Sequence, residues 1–433
     1  MQSYYVLPSD FRVALDPATI VRGDALLGGT PFRLVRLSAA QRAAVEAWRE
    51  GAPVGDDGAL ARALVHANLA QPIPPGRPRF PGPDDVTIVV PARDRDVAHL
   101  TALAPRVIVV DDGSRVPIPG AAIRHDAPRG AGAARNAGAR LVTTPLVAFL
   151  DSDTHPEPGW LDPLLPHFAD PRVALVAPRI TSPAPTTRLA RYEAANSPLD
   201  RGPLPARVVP HGRVPFVPGA ALLMRTPLAR FDPTLEGGED VDLVWRLTAQ
   251  GHHVRYEPRA HVLHAHRTSP RAWLARRAYY GRTAAPLSRR HPGNARPLHI
   301  SPWTTAAWLA LAARRPVAAA AITATATALL ARRLDDPRLA TRLAAGGTLK
   351  AGRLIADAIA RTWWPLALAK PKLLAAALLA TGSPLRALDG AAYGWGVWHG
   401  CIVQRTVDPL LGDLSWRIVE CPAEILIELA RPD

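Results

Sequence analysis

A chain of 433 residues is long enough for two or three domains, each with a core of its own. Its 48% hydrophobic content beside 46 Pro and 31 Gly describes globular domains joined by Pro-marked turns and excludes a disordered polymer. The net charge of +15 is carried by arginine, with lysine only at Lys350, Lys370 and Lys372, and no dense basic run interleaves with aromatics, so no nucleic-acid partner is expected.

Residues 1 to about 75 alternate β-like runs (Phe11 to Leu15, Ala25 to Leu27, Phe32 to Leu37) with two helical patterns, Ala39 to Glu50 and Gly58 to Ala70. This predicts a small α+β module. Its order of elements resembles winged-helix peptide-recognition modules, and no residue in it suggests chemistry. The Pro/Gly/Arg stretch 71–83 cannot continue a helix or a central strand, which places a stiff linker and a domain boundary there. Met1 to Asp10 lacks a basic segment followed by an apolar one, so a cytoplasmic location is expected.

Beyond the linker, Val86 to Val90, Val107 to Val110 and Val147 to Leu150 are short apolar runs separated by helical stretches. That is the pattern of an α/β domain with a parallel sheet buried on both faces, expected over 84–295. From Ser301 the composition turns Ala/Leu-rich. The apolar stretches Pro302 to Ala313 and Pro316 to Ala331 fall short of the roughly 20 residues of a spanning helix. A helical region over 300–433 is therefore expected to pack on the catalytic domain or lie in a membrane interface, with Trp303, Trp308, Trp363 and Trp364 near the boundary. Only Cys401 and Cys421 occur, which excludes a disulfide framework.

In an open α/β sheet, ligands sit beyond the carboxyl ends of the strands. The polar residues there are Pro91-Ala-Arg93-Asp94, Asp111-Asp112-Gly-Ser and Asp151-Ser152-Asp153. Three carboxylate-bearing turns at one edge repel one another unless cations or donors meet them. Asp151 and Asp153, one residue apart, can hold a hard divalent cation against diphosphate oxygens. The stretch Arg129 to Gly138 opens a helix with small residues, so its backbone, Arg129, Arg135 and Asn136 can approach a diphosphate. Glu239-Asp240 opens a further helix, where the dipole favours negative charge.

These segments, with Pro218-Gly219, occur in the order and spacing that resembles family 2 glycosyltransferases of the GT-A fold, over roughly residues 85 to 290. The resemblance implies an inverting, metal-dependent hexosyltransferase that uses a UDP-sugar and Mg2+ or Mn2+. It implies that Asp112, helped by Pro91 and Arg93, contacts the nucleoside; that Asp151 and Asp153 form the metal motif, with Asp153 the direct ligand; and that Asp240 is the general base, supported by Glu239. Histidines 261, 264 and 266 cluster with Arg267 after an expected strand, Val254 to Glu257, and by the same resemblance His264 completes the metal shell. Arg271-Ala-Trp273 and Arg276 to Tyr280 stand where relatives carry a Gln-x-x-Arg-Trp-type lid, and the absence of that motif argues against a processive cellulose-type synthase.

The leading module with Ala25-Leu-Leu-Gly-Gly-Thr-Pro31, Val173 to Arg179, Ala190 to Glu193 and Tyr280 to Ser288 is similar, across nearly the whole chain, to the glycosyltransferases of mycofactocin systems. That implies UDP-glucose as donor and a β-1,4-linked glucan built on the peptide-derived redox cofactor mycofactocin or its precursor; a polysaccharide or lipid-linked sugar of the cell envelope is the alternative acceptor. Two other readings are weaker. A nucleotidyltransferase has no use for Glu239-Asp240 so late in the domain, and a non-catalytic binding module has none for an intact Asp153 and Asp240.

Overall fold

The β-branched runs of the central segment form strands because each is apolar on both sides and bounded by turn residues. In the computed structural model, residues 5–76, 81–104, 106–265, 269–415 and 419–422 are described, the last four by backbone alone. The chain divides into two units, Met1–His266 with Ile418–Asp433, and Arg267–Arg417.

The first unit opens with β1 (Arg12–Leu15), β2 (Ile20–Arg22), β3 (Ala25–Gly28), β4 (Arg33–Arg36), α1 (Ala39–Arg49), α2 (Gly58–His66) and β5 (Ala70–Ile73). Strands β2, β3 and β4 form an antiparallel meander, and β1 pairs antiparallel with β5. Ser38 starts α1 with a capping box to Gln41. The expected helix 58–70 stops early. Asn68 takes a left-handed φ of 58°, and the carbonyls of Ala67 and Leu69 accept N–H groups from Thr30 and Asp16, which redirects the chain into β5. Gln71 to Ile73 are thus strand, while residues 77–80 of the expected linker lie outside the described residues.

The central sheet uses β6 (Val86–Ala92), β7 (Val107–Asp111), β8 (Ile123–Arg124), β9 (Leu146–Leu150), β10 (Thr154–Pro156), β11 (Val173–Thr181), β12 (Ala206–Arg207), β13 (Ala221–Arg225) and β14 (His253–His264). Between them lie α3 (Ala98–Thr101), α4 (Ala131–Ala139), α5 (Arg188–Asn196) and α6 (Glu239–Ala249). The order is β10-β14-β11-β13-β9-β6-β7-β8, with β12 on β14. Strands β9, β6, β7 and β8 run parallel, and β13 is antiparallel to both β9 and β11, so the sheet is mixed. The expected strand 254–257 extends through His264 because β14 pairs with β11 along Val173 to Thr181, a bulge at Pro178/Arg179 absorbing the irregularity. His261 and His264 therefore sit in a strand and not after it; His266 and Arg267 lie outside the described residues.

The N-terminal module shares this unit. Arg62 on α2 is fully buried and forks onto Asp170 before β11, at 2.7 Å to each oxygen. The chain end returns here too, β15 (Val419–Pro422) adding in parallel to β4.

The second unit is helical: α7 (Pro270–Arg282), α8 (Ala284–Arg290), α9 (Pro302–Ala312), α10 (Pro316–Leu334), α11 (Pro337–Ala358), α12 (Trp364–Ala367), α13 (Pro371–Ala380) and α14 (Pro384–Gln404). Proline at the first position starts most of them, where a missing N–H costs nothing. Helices α7 and α8 belong here, although the sequence assigns them to the catalytic segment. A Cβ at Gly281 would fall 2.0 Å from the Tyr393 carbonyl, and one at Gly396 2.0 Å from that of Ala278, so only glycine lets α7 and α14 approach this closely. Arg277 pairs with Asp389 at 2.7 Å across that contact, which makes 271–280 a packed helix. Trp308 and Trp363 donate their indole N–H to the carbonyls of Thr348 and Leu410 inside the unit, while Trp303 is exposed.

Asp170→Asn should destabilise the first unit by about 3–5 kcal/mol, because the Arg62 charge is then buried without its partner. Urea unfolding measures it, and a change below about 1 kcal/mol would show that the pair does not fasten the module.

Candidate active site

The carboxyl ends of β6, β7 and β9 lie side by side, Ala92 opposite Asp111 and Val89 opposite Phe149. Pro91 is buried in β6, and Arg93 is exposed just beyond it. Asp94 has a φ of 52°; its N–H donates to Ser114 Oγ at 2.8 Å and its Oδ1 accepts the Arg115 N–H at 2.8 Å, tying the two turns together. Asp111 is fully buried and accepts from Ser114, Ile118 and Arg124, which makes it part of the turn's framework.

Asp112 accepts from His125 Nδ1 at 2.7 Å and from the N–H groups of Arg129 and Gly130 at 2.9 Å each. Both oxygens thus anchor the chain entering α4, a use that differs from the nucleoside contact the resemblance implies. Arg129, with His125, Asn136 and Arg140, lines a cleft of about 370 Å3 over Ala133 and Ala137. Neither Asp151, Asp153, Glu239 nor Asp240 is among its walls.

Arg135 faces the opposite way. It is 2% exposed, and its guanidinium donates to Asp151 Oδ1 at 2.7 Å, Glu239 Oε1 at 2.7 Å and the Gly219 carbonyl at 3.1 Å. Its carbon also lies 5.2 Å from the Phe231 ring centroid. All this holds Arg135 away from the diphosphate contact expected of it. Asn136 is likewise occupied, exchanging two hydrogen bonds with the Phe231 backbone at 2.8 and 2.9 Å. Gly219 leaves room here, since a Cβ would fall 3.0 Å from Arg135 Nη2 and the guanidinium would have to give way.

Asp151 is thereby committed to Arg135, with Ser152 half-buried beyond it. Asp153 is differently placed. Its Oδ1 lies 3.4 Å from His264 Nε2 and its Oδ2 3.5 Å from Arg95, and about a third of the side chain is open. The register that sets Thr154 opposite His264 in the β10–β14 pair brings the two together. Burial works to raise the Asp153 carboxyl, but the hydrogen bond and charge of His264, with Arg95, hold it down at about 2.

At the start of α6, Gly238 takes a φ of 78° and turns the chain so that Glu239 and Asp240 meet this edge. Asp240 accepts the Gly219 N–H at 2.7 Å and the Val241 N–H at 2.8 Å. Its side chain keeps some solvent contact, yet burial and the adjacent Glu239 charge raise its pKa to about 6 against the opposing Gly219 N–H and Arg135. A base poised near neutrality results, in place of the firmly ionised group expected from the helix dipole. Asp242 is buried in the fold, 3.6 Å from Arg246. The partners Arg95 and His125 escape the sequence reading, because no spacing marks a single basic residue in a loop.

The donor set fits a divalent cation in part. Asp153 offers a low-pKa oxygen and His264 an imidazole beside it. Among the described residues no group of three ligating side chains is assembled.

Residues 95–231 match the family model described as Glycosyl transferase family 2. The chain is 40% identical over 469 aligned residues to the pre-mycofactocin glycosyltransferase of Mycobacterium tuberculosis, in strains CDC 1551 / Oshkosh and ATCC 25618 / H37Rv alike, with 93% of this chain and 98% of the relative covered. Among solved structures it is similar to a mannosyltransferase from Pyrobaculum calidifontis in complex with GDP-mannose and Mn2+, at 18% identity and a TM-score of 0.35, over 73% of this chain and 90% of that one.

A carboxyl 13C titration should place the midpoint of Asp240 near pH 6, and Glu239→Gln should lower it by removing the adjacent negative charge. A midpoint at the ordinary value of about 4 in the unsubstituted chain would contradict this geometry.

Proposed function

We propose that this chain, which belongs to glycosyltransferase family 2 and within it to the pre-mycofactocin glycosyltransferases, moves a hexose from a nucleoside diphosphate to an acceptor hydroxyl with inversion at the anomeric carbon. The observation that carries the reading is Asp240, fixed by two backbone N–H groups and raised to about 6, where a carboxylate serves as a general base. Asp240 takes the acceptor proton while the acceptor oxygen attacks the anomeric carbon from the face opposite the leaving diphosphate. Glu239, held by Arg135, stands beside Asp240 and adds to burial in raising the basicity of that group.

Asp153 and His264 are the residues that would hold Mg2+ or Mn2+, and Asp151 would support them through Arg135. When bound, the cation supplies neutralising charge to the departing diphosphate. We read the donor as UDP-glucose and the acceptor as mycofactocin or its precursor, extended as a β-1,4-linked glucan. The whole-chain likeness to the pre-mycofactocin glycosyltransferase supports this.

We also place the chain in the cytoplasm at the inner face of the membrane. Helix α10, by length and composition apolar enough to cross a membrane, is little buried; Arg314-Arg315 precede it, Arg332-Arg333 lie in its last turn, and Leu309, Leu349, Leu366 and Leu379 are exposed in the same unit. Alkaline carbonate should release the protein; retention in the pellet would mean that α10 inserts across the bilayer.

Asp240→Asn keeps shape but loses the proton acceptor, so turnover should fall by about a hundredfold to ten-thousandfold with UDP binding retained. Because the unprotonated form is the active one, unsubstituted turnover should decline as pH falls through about 6. Asp153→Ala should weaken UDP binding and abolish its dependence on added Mn2+ in calorimetry. Unchanged affinity and metal dependence would remove Asp153 from the site.

A further inference from the structure

Between the N-terminal module and the central sheet lie four arginines almost wholly inside protein: Arg62 on α2, Arg172 before β11, Arg207 on β12 and Arg255 on β14, exposed by 0%, 1%, 5% and 1%. The carboxylates among them are unevenly shared. Asp170 takes both Nη groups of Arg62 and the backbone N–H of Arg172. Arg255 gives one Nη to the neutral amide of Gln71 at 2.7 Å, and Gln71 in turn donates to Asp16 at 2.7 Å. Among the described residues Arg207 meets no carboxylate. Its Nη1 donates to the His66 carbonyl at 2.6 Å, and burial, followed by the charges of Arg172, Arg255 and Arg62, lowers its pKa to about 9.

Arg255 does have carboxylates acting on it, Glu257 first and then Asp170 and Asp16, but the groups neighbouring Arg207 supply no such charge. His66 and His253 approach at 3.3 Å between ring nitrogens, and burial, followed by the charges of Arg207, Arg62 and Arg172, keeps both neutral. Four buried N–H donors of the cluster find no acceptor among the described residues: Nε of Arg62, Nε of Arg207, and Nε and Nη1 of Arg255. A buried cation without a counter-charge and a buried donor without an acceptor are each costly, and their coincidence at one junction calls for a negative ligand.

We propose that this junction binds a small inorganic anion, a halide or a phosphate, through the guanidinium N–H groups of Arg207 and Arg255, with Arg62 contributing from α2. The ligand offsets the unmatched charge and bridges α2 to β12 and β14, so it fastens the module to the catalytic sheet. The carboxylates of the candidate active site take no part in it.

Two measurements on the full chain test this. Crystals grown in sodium bromide should show an anomalous peak within hydrogen-bonding distance of Arg207 and Arg255. The melting temperature should rise with the logarithm of bromide, chloride or phosphate concentration relative to sodium gluconate at equal ionic strength, as ligand linkage requires. A steeper rise with phosphate than with the halides identifies the oxyanion as the ligand, and the reverse identifies the halide. Arg207→Met should melt no lower than the unsubstituted chain in gluconate and should lose the anion-dependent rise. No bromide peak together with a melting temperature indifferent to the anion overturns the proposal, as does an Arg207→Met chain that keeps the full rise. Should that variant fail to fold, the bromide experiment on the unsubstituted chain decides alone.

Discussion

One guanidinium organises the candidate site. Arg135 reaches from the inner face of α4 to the carboxylate after β9, the carbonyl before β13 and the first carboxylate of α6, so three distant segments are fixed by one planar group. A guanidinium suits this task because its donors diverge in a plane and its charge survives burial. The rest of the edge accommodates that contact. Gly219 leaves room for the fork, and at Gly138 a Cβ would fall 2.4 Å from Val89 Cγ1, so α4 can settle onto β6. With Asp151 and Glu239 both held by one guanidinium, Asp153 and Asp240 stand at the same edge outside its hydrogen bonds.

The carboxylates therefore divide by the donors that reach them. Asp111 and Asp112 are filled by backbone N–H groups, by Arg124 and by His125, and serve the turns that shape the edge. Asp151 serves Arg135. Asp153 keeps an open side and a low pKa, properties of a cation ligand, whereas Asp240 keeps a raised one, a property of a base. Environment, and not residue type, separates the two carboxylates.

Much of this was legible in the sequence. The apolar runs at 86–90, 107–110 and 147–150 became β6, β7 and β9 because buried parallel strands carry that composition, and the turn residues after them did gather at one edge. His264 came beside Asp153 through the β10–β14 register. What escaped depended on contacts distant in the chain. Asn68 ended α2 by a backbone conformation that apolar spacing does not encode. Arg129, Arg135 and Asn136 sit within eight residues and read as one diphosphate-facing group, but α4 turns Arg135 inward, while Arg129, ahead of the helix, lines a separate cleft. Arg62, Arg207 and Arg255 look like ordinary surface arginines in a basic chain, and only the packing of the module against the sheet buries them.

In the proposed reaction Arg135 positions the reacting groups and does not bind the donor. Arg135→Lys keeps the charge but cannot hold Asp151, Glu239 and the Gly219 carbonyl together, so turnover and UDP affinity measured on one preparation separate the two possibilities. Turnover reduced by about a hundredfold or more, with UDP affinity within a few-fold of the unsubstituted chain, is the expected result. A loss of affinity that accounts for the whole loss of transfer would contradict it and place Arg135 on the diphosphate.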